Sequence, residues 1–199
     1  MRLGVFGGAF DPPHAAHAAV ARAARERLSL DRVIWIPTFR PPHKGLPTAS
    51  FADRLAMTRA LAAEVPGSEV SDLEAALPPP SYMLNTLEAL VDAYGPGHEW
   101  HLILGADNWA GFASWYRPEA VLAAAHPVVY PRAGHETAAL PPGALILDLP
   151  ETPEKSATYR EWLARDREAA LADLPAAVAA CIRRRGIYPT SATHSKAGP

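Results

Sequence analysis

Arg2-Leu3-Gly4-Val5-Phe6-Gly7-Gly8-Ala9-Phe10-Asp11-Pro12-Pro13-His14-Ala15-Ala16-His17 is the stretch of sequence that decides the fold. Its first part is almost continuously apolar, as in a strand that is buried on both faces of a parallel sheet. The glycines that follow allow the backbone to approach a ligand closely, and the prolines fix the start of a helix. The stretch therefore predicts a strand, a tight turn and a helix whose N-terminus can bind an anion.

The same alternation of short apolar runs and helical patterns continues along the chain. Besides Arg2–Phe6, the sequence predicts strands at Val33–Pro37, Trp100–Leu104, Pro127–Tyr130 and Leu145–Leu149. It predicts helices at Ala15–Leu28, Phe51–Ala63 (capped by Ser50), Tyr82–Ala93 and Thr158–Arg185, with Pro118 and Pro175 in first helical turns. This order is typical of an α/β protein with a Rossmann-like, doubly wound parallel sheet and a helical C-terminal part. Such sheets bind ligands at the carboxyl ends of their strands.

Length and composition exclude several classes of protein. The 199 residues predict one domain over 1–188, followed by a flexible tail over 189–199. Lys and Arg number 19 against 21 Asp and Glu, so the basic surplus that non-specific nucleic-acid binding needs is missing. A single cysteine, Cys181, excludes a disulfide framework and a cysteine-based zinc site. No apolar run approaches the ~18 residues of a membrane span, and we expect a cytoplasmic protein with no membrane or nucleic-acid partner.

His14 and His17 are the candidate catalytic side chains of the first helix. Three residues apart, they share one face of its first turn and would face an anion bound there. A His-x-x-His pair is more often a surface or zinc-like feature, but the His-Glu-x-x-His pattern of metalloproteases is absent. Asp11, just before the prolines, would cap the helix or hold a metal-bound phosphate.

Several motifs resemble one known family. The segment from Gly7 to His17 resembles the signature of the nucleotidyltransferases with a His-x-Gly-His motif, with Ala16 in place of the usual glycine. Further segments are similar to its nicotinate-nucleotide adenylyltransferase branch: Pro41-Pro42-His43-Lys44, Ser81-Tyr82-Met83-Leu84-Asn85-Thr86-Leu87, and Gly105-Ala106-Asp107 with Trp115. The match runs from Arg2 to Tyr188. It implies an enzyme of NAD biosynthesis that transfers AMP from ATP to nicotinate mononucleotide, giving deamido-NAD and pyrophosphate.

The resemblance also implies a role for each candidate residue. The catalytic residues would be His14, His17, Lys44 and Arg160. The ATP-binding residues would be Gly7, Gly8, Ala9, Phe10, Gly105, Asp107 and Ser156. The acceptor would be bound by Thr86, Trp115 and Tyr116: the indole would stack on the pyridine ring, and the other two would present backbone N–H groups to its carboxylate. Mg²⁺ would enter with ATP, held mostly by the nucleotide and water, with no protein metal site.

Simpler interpretations stay open for several of these residues. Lys44 and Arg160 could each be solvated, the first in a loop and the second on a helix. Thr86 could be bonded to its own helix, and Asp107 could be a helix N-cap.

The segment before Arg160 also aligns in two ways with the family pattern Ile-Ser-Ser-Thr-x-x-Arg. Counted back from Arg160, Ser156 stands at a serine position, Lys155 at the other serine and Ala157 at the threonine. With a one-residue deletion, Ser156 and Thr158 supply the hydroxyls.

Two other functions also stay open. The first is a sister adenylyltransferase that uses nicotinamide mononucleotide or phosphopantetheine, although the Tyr82…Thr86 and Trp115-Tyr116 elements argue against phosphopantetheine. The second is a non-catalytic nucleotide-binding module, suggested by the incomplete match before Arg160. Release of pyrophosphate from ATP and an acceptor distinguishes a catalyst from a sensor.

Overall fold

A computed structural model describes residues 1–42, 45–135, 140, 143–150 and 155–189. In these residues, six parallel strands form one sheet in the order β3-β2-β1-β4-β5-β6. The strands are β1 (Arg2–Gly8), β2 (Arg32–Pro37), β3 (Ser68–Val70), β4 (Glu99–Gly105), β5 (His126–Tyr130) and β6 (Leu145–Ile146). The order reverses between β1 and β4, so the predicted Rossmann-like, doubly wound sheet is confirmed.

Helices cover both faces of this sheet. They are α1 (Ala15–Arg27), α2 (Phe51–Ala62), α3 (Met83–Tyr94), α4 (Ala106–Ala110), α5 (Pro118–Ala124), α6 (Ser156–Arg165), α7 (Arg167–Asp173) and α8 (Ala176–Arg185), with 3-10 turns at Leu73–Ala76 and Phe112–Ser114. No helix within the described ranges is long and apolar enough to cross a membrane.

Successive strand residues enter two separate hydrophobic cores. Phe6 and Trp35 pack with α1, α2 and the C-terminal helices, whereas Val5 and Ile34 pack with α3 and α5. All four of these side chains are at most 1% exposed. Burial on both faces explains why the strands are continuously apolar, as the sequence analysis assumed.

Local signals predicted most element boundaries within two residues. The hydroxyl of Ser50 accepts a hydrogen bond from the Asp53 N–H at 3.1 Å, which confirms the predicted cap of α2. Pro118 is the first residue of α5, and Pro175 directly precedes α8 as its N-cap. The predicted strand at Leu145–Leu149 is shorter, with β6 ending at Ile146.

Two predictions need correction. The sequence analysis missed β3, because Ser-Glu-Val is short and polar; it is held as an edge strand beside β2, where the Trp35 indole donates to the Ser68 hydroxyl at 2.9 Å. The prediction that Thr158–Arg185 is helical is confirmed, with the correction that three helices, α6, α7 and α8, occupy the region. The Asp166 carboxylate ends the first of them by accepting from the Ala169 N–H at 3.1 Å and capping α7. Of the predicted tail, residues 190–199 lie outside the described part of the chain.

Candidate active site

A cavity of about 530 Å³ opens at the carboxyl ends of the central strands. Its wall combines the β1–α1 loop with residues that follow β2, β4 and β5 and with the start of α6. The predicted site residues on this wall are Gly7, Gly8, Ala9, Phe10, His17, Asp107, Trp115, Tyr116 and Ser156. The volume suits a small-molecule site, and its position is the one expected for a doubly wound sheet.

Close packing explains two of the glycines at this edge. A Cβ atom on Gly8 would lie 3.1 Å from the Phe10 ring, and one on Gly105 would lie 2.4 Å from Oδ1 of Asp107. Phe10 itself adopts a left-handed φ of +48°, and its buried ring packs 5.5 Å from that of Phe6. The loop is thus fixed by one aromatic anchor while its small residues line the cavity.

His14 and His17 are brought together at the start of α1. His14 is the N-cap residue, and its backbone N–H donates to Nδ1 of His17 at 3.1 Å. Because Nδ1 of His17 accepts, a neutral His17 ring carries its proton on Nε2. The ring centroids are 3.9 Å apart. The pair therefore has a defined geometry before any ligand is bound.

The two histidines occupy different depths. His17 lies on the cavity wall, whereas His14 lines a second space of about 10 Å³ behind it, together with His17, Tyr130 and Arg132. His14 is 1% exposed, and within the described ranges neither of its ring nitrogens has a hydrogen-bond partner. A buried polar ring without partners is expensive, so its position favours a polar ligand group or a water molecule beside it.

Both histidines are neutral at pH 7. Burial lowers the pKa of His14 to about 3, and the nearby charge of Arg132 acts in the same direction. The pKa of His17 also lies well below its usual value, because of burial first and then the charges of His14 and Arg132. The pair can donate hydrogen bonds to a phosphate but brings no permanent positive charge to it.

Arg132 supplies a permanent charge at this place, and the sequence analysis missed it. It follows β5 at the carboxyl edge of the sheet and lines both the large and the small cavity. Its Nε lies 3.7 Å from Oδ1 of Asp107, and its guanidinium carbon lies 5.5 Å from the centre of the Tyr130 ring. A cation just after a predicted strand was the available signal, since ligands bind where parallel strands end.

Asp107 faces the cavity from α4. The N-cap of that helix is Gly105, so the interpretation of Asp107 as the cap is wrong. Its Oδ1 is buried and, in the described part of the chain, has no hydrogen-bond donor. Because this oxygen is buried and lies beside Arg132, a ligand hydroxyl can reach only the exposed part of the side chain, which is 32% exposed.

An aromatic wall closes the other end of the cavity. Trp115 lines it and packs against Phe112, with 5.1 Å between ring centroids. The Tyr116 ring stacks on that of Tyr82 at 4.6 Å and is 45% exposed. Among the described residues, the backbone N–H of Tyr116 meets no acceptor. The wall thus offers flat apolar surfaces and one free donor.

Thr86 does not contribute to this wall as expected. It is completely buried, and its backbone N–H, which was expected to hold a carboxylate, already donates to the Tyr82 carbonyl at 3.2 Å. Its hydroxyl donates to Oε1 of Glu74 at 2.9 Å. As the fourth residue of α3 it has an intrahelical acceptor, unlike residues 83–85 at the helix start. The simpler interpretation, a threonine bonded to its own helix, describes the backbone N–H, whereas the hydroxyl also ties α3 to the 3-10 turn that carries Glu74.

The start of α6 docks on the β1–α1 loop. The Ser156 hydroxyl donates to the Pro12 carbonyl at 2.9 Å, and Nη1 of Arg160 donates to the Asp11 carbonyl at 2.6 Å. Lys155 and Ser156 line the cavity, whereas Thr158 is exposed, which favours the alignment counted back from Arg160.

Two other expected residues need separate mention. Lys44 lies outside the described residues, together with His43. Asp11 was expected to cap α1 or to face a metal-bound phosphate, and both expectations are wrong. Its carboxylate is 2% exposed and accepts from the N–H groups of Thr48 and Ala49 and from the Tyr188 hydroxyl.

Comparisons with known proteins agree with this geometry. A cytidylyltransferase-like family model matches residues 5–161. The chain is 39% identical over 200 residues to a "Probable nicotinate-nucleotide adenylyltransferase" of Gloeobacter violaceus, covering 94% of this chain and 96% of the relative. A protein of the same name from Synechococcus sp. is 36% identical and covers 94% of each chain.

A solved structure shares the fold. The nicotinic acid mononucleotide adenylyltransferase of Plasmodium falciparum, complexed with NaAD, superposes with a TM-score of 0.79 at 16% identity, over 96% of this chain and 98% of that one. At this identity the likeness concerns the fold alone.

Proposed function

This chain belongs to the cytidylyltransferase-like family, and from that premise we propose that it transfers AMP from ATP to nicotinate mononucleotide, a reaction of NAD biosynthesis. The products are deamido-NAD and pyrophosphate. One observation carries the proposal: His17, Arg132 and an aromatic wall line a single cavity at the switch point of the sheet, and His14 lies directly beside His17. The relatives named nicotinate-nucleotide adenylyltransferase support the choice of acceptor.

The reaction joins two phosphates and needs no general base. An oxygen of the acceptor's 5′-phosphate, already ionised at pH 7, attacks the α-phosphorus of ATP. The bond from that phosphorus to the oxygen bridging to the β-phosphate breaks, and pyrophosphate leaves with the electron pair. Catalysis is then a matter of positioning and of stabilising charge.

We assign the transferring phosphate to His14, His17 and Arg132. The Nε2–H of His17 would donate to an α-phosphate oxygen, with His14 behind it as a second donor. Because burial keeps both rings neutral, Arg132 would provide the fixed positive charge between the two anionic substrates. Preorganised donors of this kind stabilise charge that develops in the transition state.

The remaining ATP contacts follow the loop and α6. Gly7, Gly8, Ala9 and Phe10 line the cavity and would approach the nucleotide through their backbone. Ser156, at the start of α6, would meet the β- and γ-phosphates, with Lys44 and Arg160 as cations. One guanidinium N–H of Arg160 is used on the Asp11 carbonyl, and the other donors of its fork remain suited to phosphate.

The acceptor would lie against the aromatic wall. Trp115 would stack on the pyridinium ring, a favourable cation–π arrangement. The free N–H of Tyr116 would donate to the nicotinate carboxylate. The carboxylate of Asp107 would accept from a ribose hydroxyl of ATP. The buried N–H of Thr86 is engaged, so we transfer its expected contribution to the unpaired N–H groups at the start of α3.

Two expectations about the surroundings stay predictions. Across the described ranges, no group of three His, Cys, Asp or Glu side chains is arranged to hold a metal ion. We therefore propose Mg²⁺ as part of the ATP substrate, held by its phosphate oxygens and water, and derive no step through it. The reaction is proposed to take place in the cytoplasm.

Pyrophosphate release from ATP in the presence of an acceptor panel tests the function. With nicotinate mononucleotide, nicotinamide mononucleotide and phosphopantetheine, we expect the nicotinate compound to be used best. A neutral amide brings N–H donors to a site of N–H donors, and such a mismatch costs about 1–3 kcal/mol. The helix N-terminus adds up to about 1 kcal/mol in favour of the anion, and at about 1.4 kcal/mol per tenfold kcat/KM should favour nicotinate by roughly tenfold to a thousandfold.

Each outcome of this assay discriminates. Equal use of both mononucleotides would remove the carboxylate site but keep adenylyl transfer. Best use of phosphopantetheine would assign the chain to a sister reaction. No pyrophosphate with any acceptor, in a protein that still binds ATP, would establish the non-catalytic nucleotide-binding module.

A further inference from the structure

The carboxylate of Asp11 joins three distant segments behind the cavity. Its Oδ2 accepts from the Thr48 N–H at 2.7 Å, and its Oδ1 accepts from the Ala49 N–H at 3.0 Å and from the Tyr188 hydroxyl at 2.7 Å. Asp11 belongs to the β1–α1 loop, the two N–H groups to the β2–α2 connection, and Tyr188 to the segment after α8. A buried carboxylate with three donors is strongly held.

The segment that carries Tyr188 is itself fixed. Gly186 and Tyr188 have left-handed φ values of +64° and +53°, and such a conformation persists in a tyrosine only where its surroundings hold it. Arg167, on α7, donates to the carbonyls of both Ile187 and Tyr188. The tyrosine is 9% exposed. Its backbone is therefore held firmly, and its hydroxyl has a fixed position next to Asp11.

Other side chains hold the same loop by its carbonyls. Nη1 of Arg54 donates to the Ala9 carbonyl at 2.8 Å, and Ser156 and Arg160 hold those of Pro12 and Asp11. The Arg54 contact comes from α2, and the other two come from the start of α6, where Ser156 also lines the cavity. The shape of Gly7–Phe10 thus depends on bonds to the backbone of the loop as well as on whatever its cavity-facing surface receives.

We propose that Tyr188 is a positioning residue for ATP: through Asp11, its hydroxyl holds the β1–α1 loop in the shape that receives the nucleotide's phosphates. The inference rests on the proposed function, to which it adds a residue beyond the part of the chain that the family model matches. Tyr188 touches no substrate in this scheme. Its effect should fall on ATP and spare the acceptor, which is placed against the aromatic wall at the other end of the cavity.

Tyr188→Phe tests the proposal, with Tyr94→Phe as its matched control. Tyr94 also donates to a carboxylate, Oε1 of Glu69, at 2.7 Å, but at the far end of α3. Calorimetry of ATP binding without acceptor, and kcat and both KM values with nicotinate mononucleotide, are measured for each variant. Loss of one hydrogen bond to a charged group should raise the Kd for ATP about tenfold in Tyr188→Phe, with the KM for the acceptor changed less than about twofold.

Backbone hydrogen exchange supplies a readout that does not depend on activity. In Tyr188→Phe we expect faster exchange at residues 8–11 and 48–49, and in Tyr94→Phe only near residues 69 and 94. Should Tyr188→Phe fail to fold, Arg167→Gln loosens the same segment and should show the same selective loss of ATP affinity.

The outcomes separate the two proposals. Wild-type protein that binds ATP but releases no pyrophosphate refutes the proposed function, while weaker ATP binding in Tyr188→Phe still supports the positioning role. Unchanged ATP binding in a folded Tyr188→Phe, or equal losses for ATP and acceptor, would overturn that role. A loss of the same size in Tyr94→Phe would overturn it too.

Discussion

The two ends of the sheet each carry a pair of histidines, and the difference between the pairs shows what makes one of them a site. At the carboxyl end, the rings of His14 and His17 are 3.9 Å apart, and at the amino end those of His101 and His126 are 5.5 Å apart. His14 and His101 are both 1% exposed. Burial therefore does not distinguish the pairs.

The residues that surround each pair distinguish the two pairs. Beside His101 lies the carboxylate of Glu99, with 3.1 Å between Nε2 and Oε1, and no lining residue of the large cavity comes from that end. Beside His14 and His17 lie a cation, a glycine loop and a helix N-terminus, all facing the cavity. The first environment suits a histidine that is hydrogen-bonded within the protein, and the second suits a phosphate.

Removing a histidine from each pair should give the largest contrast. His17→Ala should lower kcat by about a hundredfold or more, the scale for losing one donor to developing charge. His101→Ala should change kcat less than about twofold, although it leaves a small hole in the core. Steady-state kinetics of both folded variants decide the matter, and near-normal turnover of His17→Ala would end the assignment of His17 as catalytic.

Removing the charge of Arg132 should give the next largest effect. It also tests whether this charge acts on His14 and His17 but not on His101. Arg132→Gln should lower kcat/KM by about tenfold to a hundredfold, as expected for a charged hydrogen bond. Since the charge of Arg132 lowers the pKa of both His14 and His17, its loss should raise both values and leave that of His101 unchanged. Titration of the histidine ring protons by NMR measures this.

Arg165→Gln, at an exposed position on α6, is the control because it removes the same charge from elsewhere. An equal loss of kcat/KM in this variant would contradict the role of Arg132. Unchanged pKa values of His14 and His17 in Arg132→Gln would contradict it too.

The smallest effect concerns stability in acid. The pKa of His14 is about 3 in the folded protein and about 6.5 in the unfolded chain. Between these two pH values the unfolded chain binds a proton at His14 that the folded protein does not bind. Stability is therefore complete above pH 6.5 and falls as the pH is lowered towards 3. From pH 7 to pH 5 the loss attributable to His14 is about 2 kcal/mol.

Chemical denaturation at the two pH values checks this assignment. His14→Asn should remove most of that loss. His101→Asn should remove less, because burial lowers the pKa of His101 while Glu99 raises it. A pH dependence in His14→Asn identical to that of the wild type would show that His14 is not the group responsible.

Local signals predicted what depends on neighbours in sequence. The apolar run before Gly7, the prolines before α1 and the hydroxyl of Ser50 each act within a few residues, and each was interpreted correctly. The predicted elements at the carboxyl edge also placed His17, Asp107 and Trp115 on one cavity without any contact being known.

Long-range contacts account for the rest. The polar strand β3 exists because β2 offers it an edge. The position of Arg132 depends on Asp107, which follows β4 and is distant in sequence. The position of Asp11 depends on residues as far along the chain as Tyr188. The N–H of Thr86 was misjudged because Thr86 lies far enough into α3 to have an intrahelical acceptor, the Tyr82 carbonyl, so that only the N–H groups before it remain for a ligand.

The bond between Asp11 and Tyr188 spans 177 positions of sequence, and this separation has a consequence for synthesis. The loop that would receive ATP leaves the ribosome 177 residues before the tyrosine whose hydroxyl completes its support. During the same interval β1 lacks one of its two neighbouring strands until β4 has been synthesised. A nascent chain therefore carries the whole glycine-histidine signature long before it has the complete support of the loop, and full nucleotide binding has to wait until the segment with Tyr188 has been made.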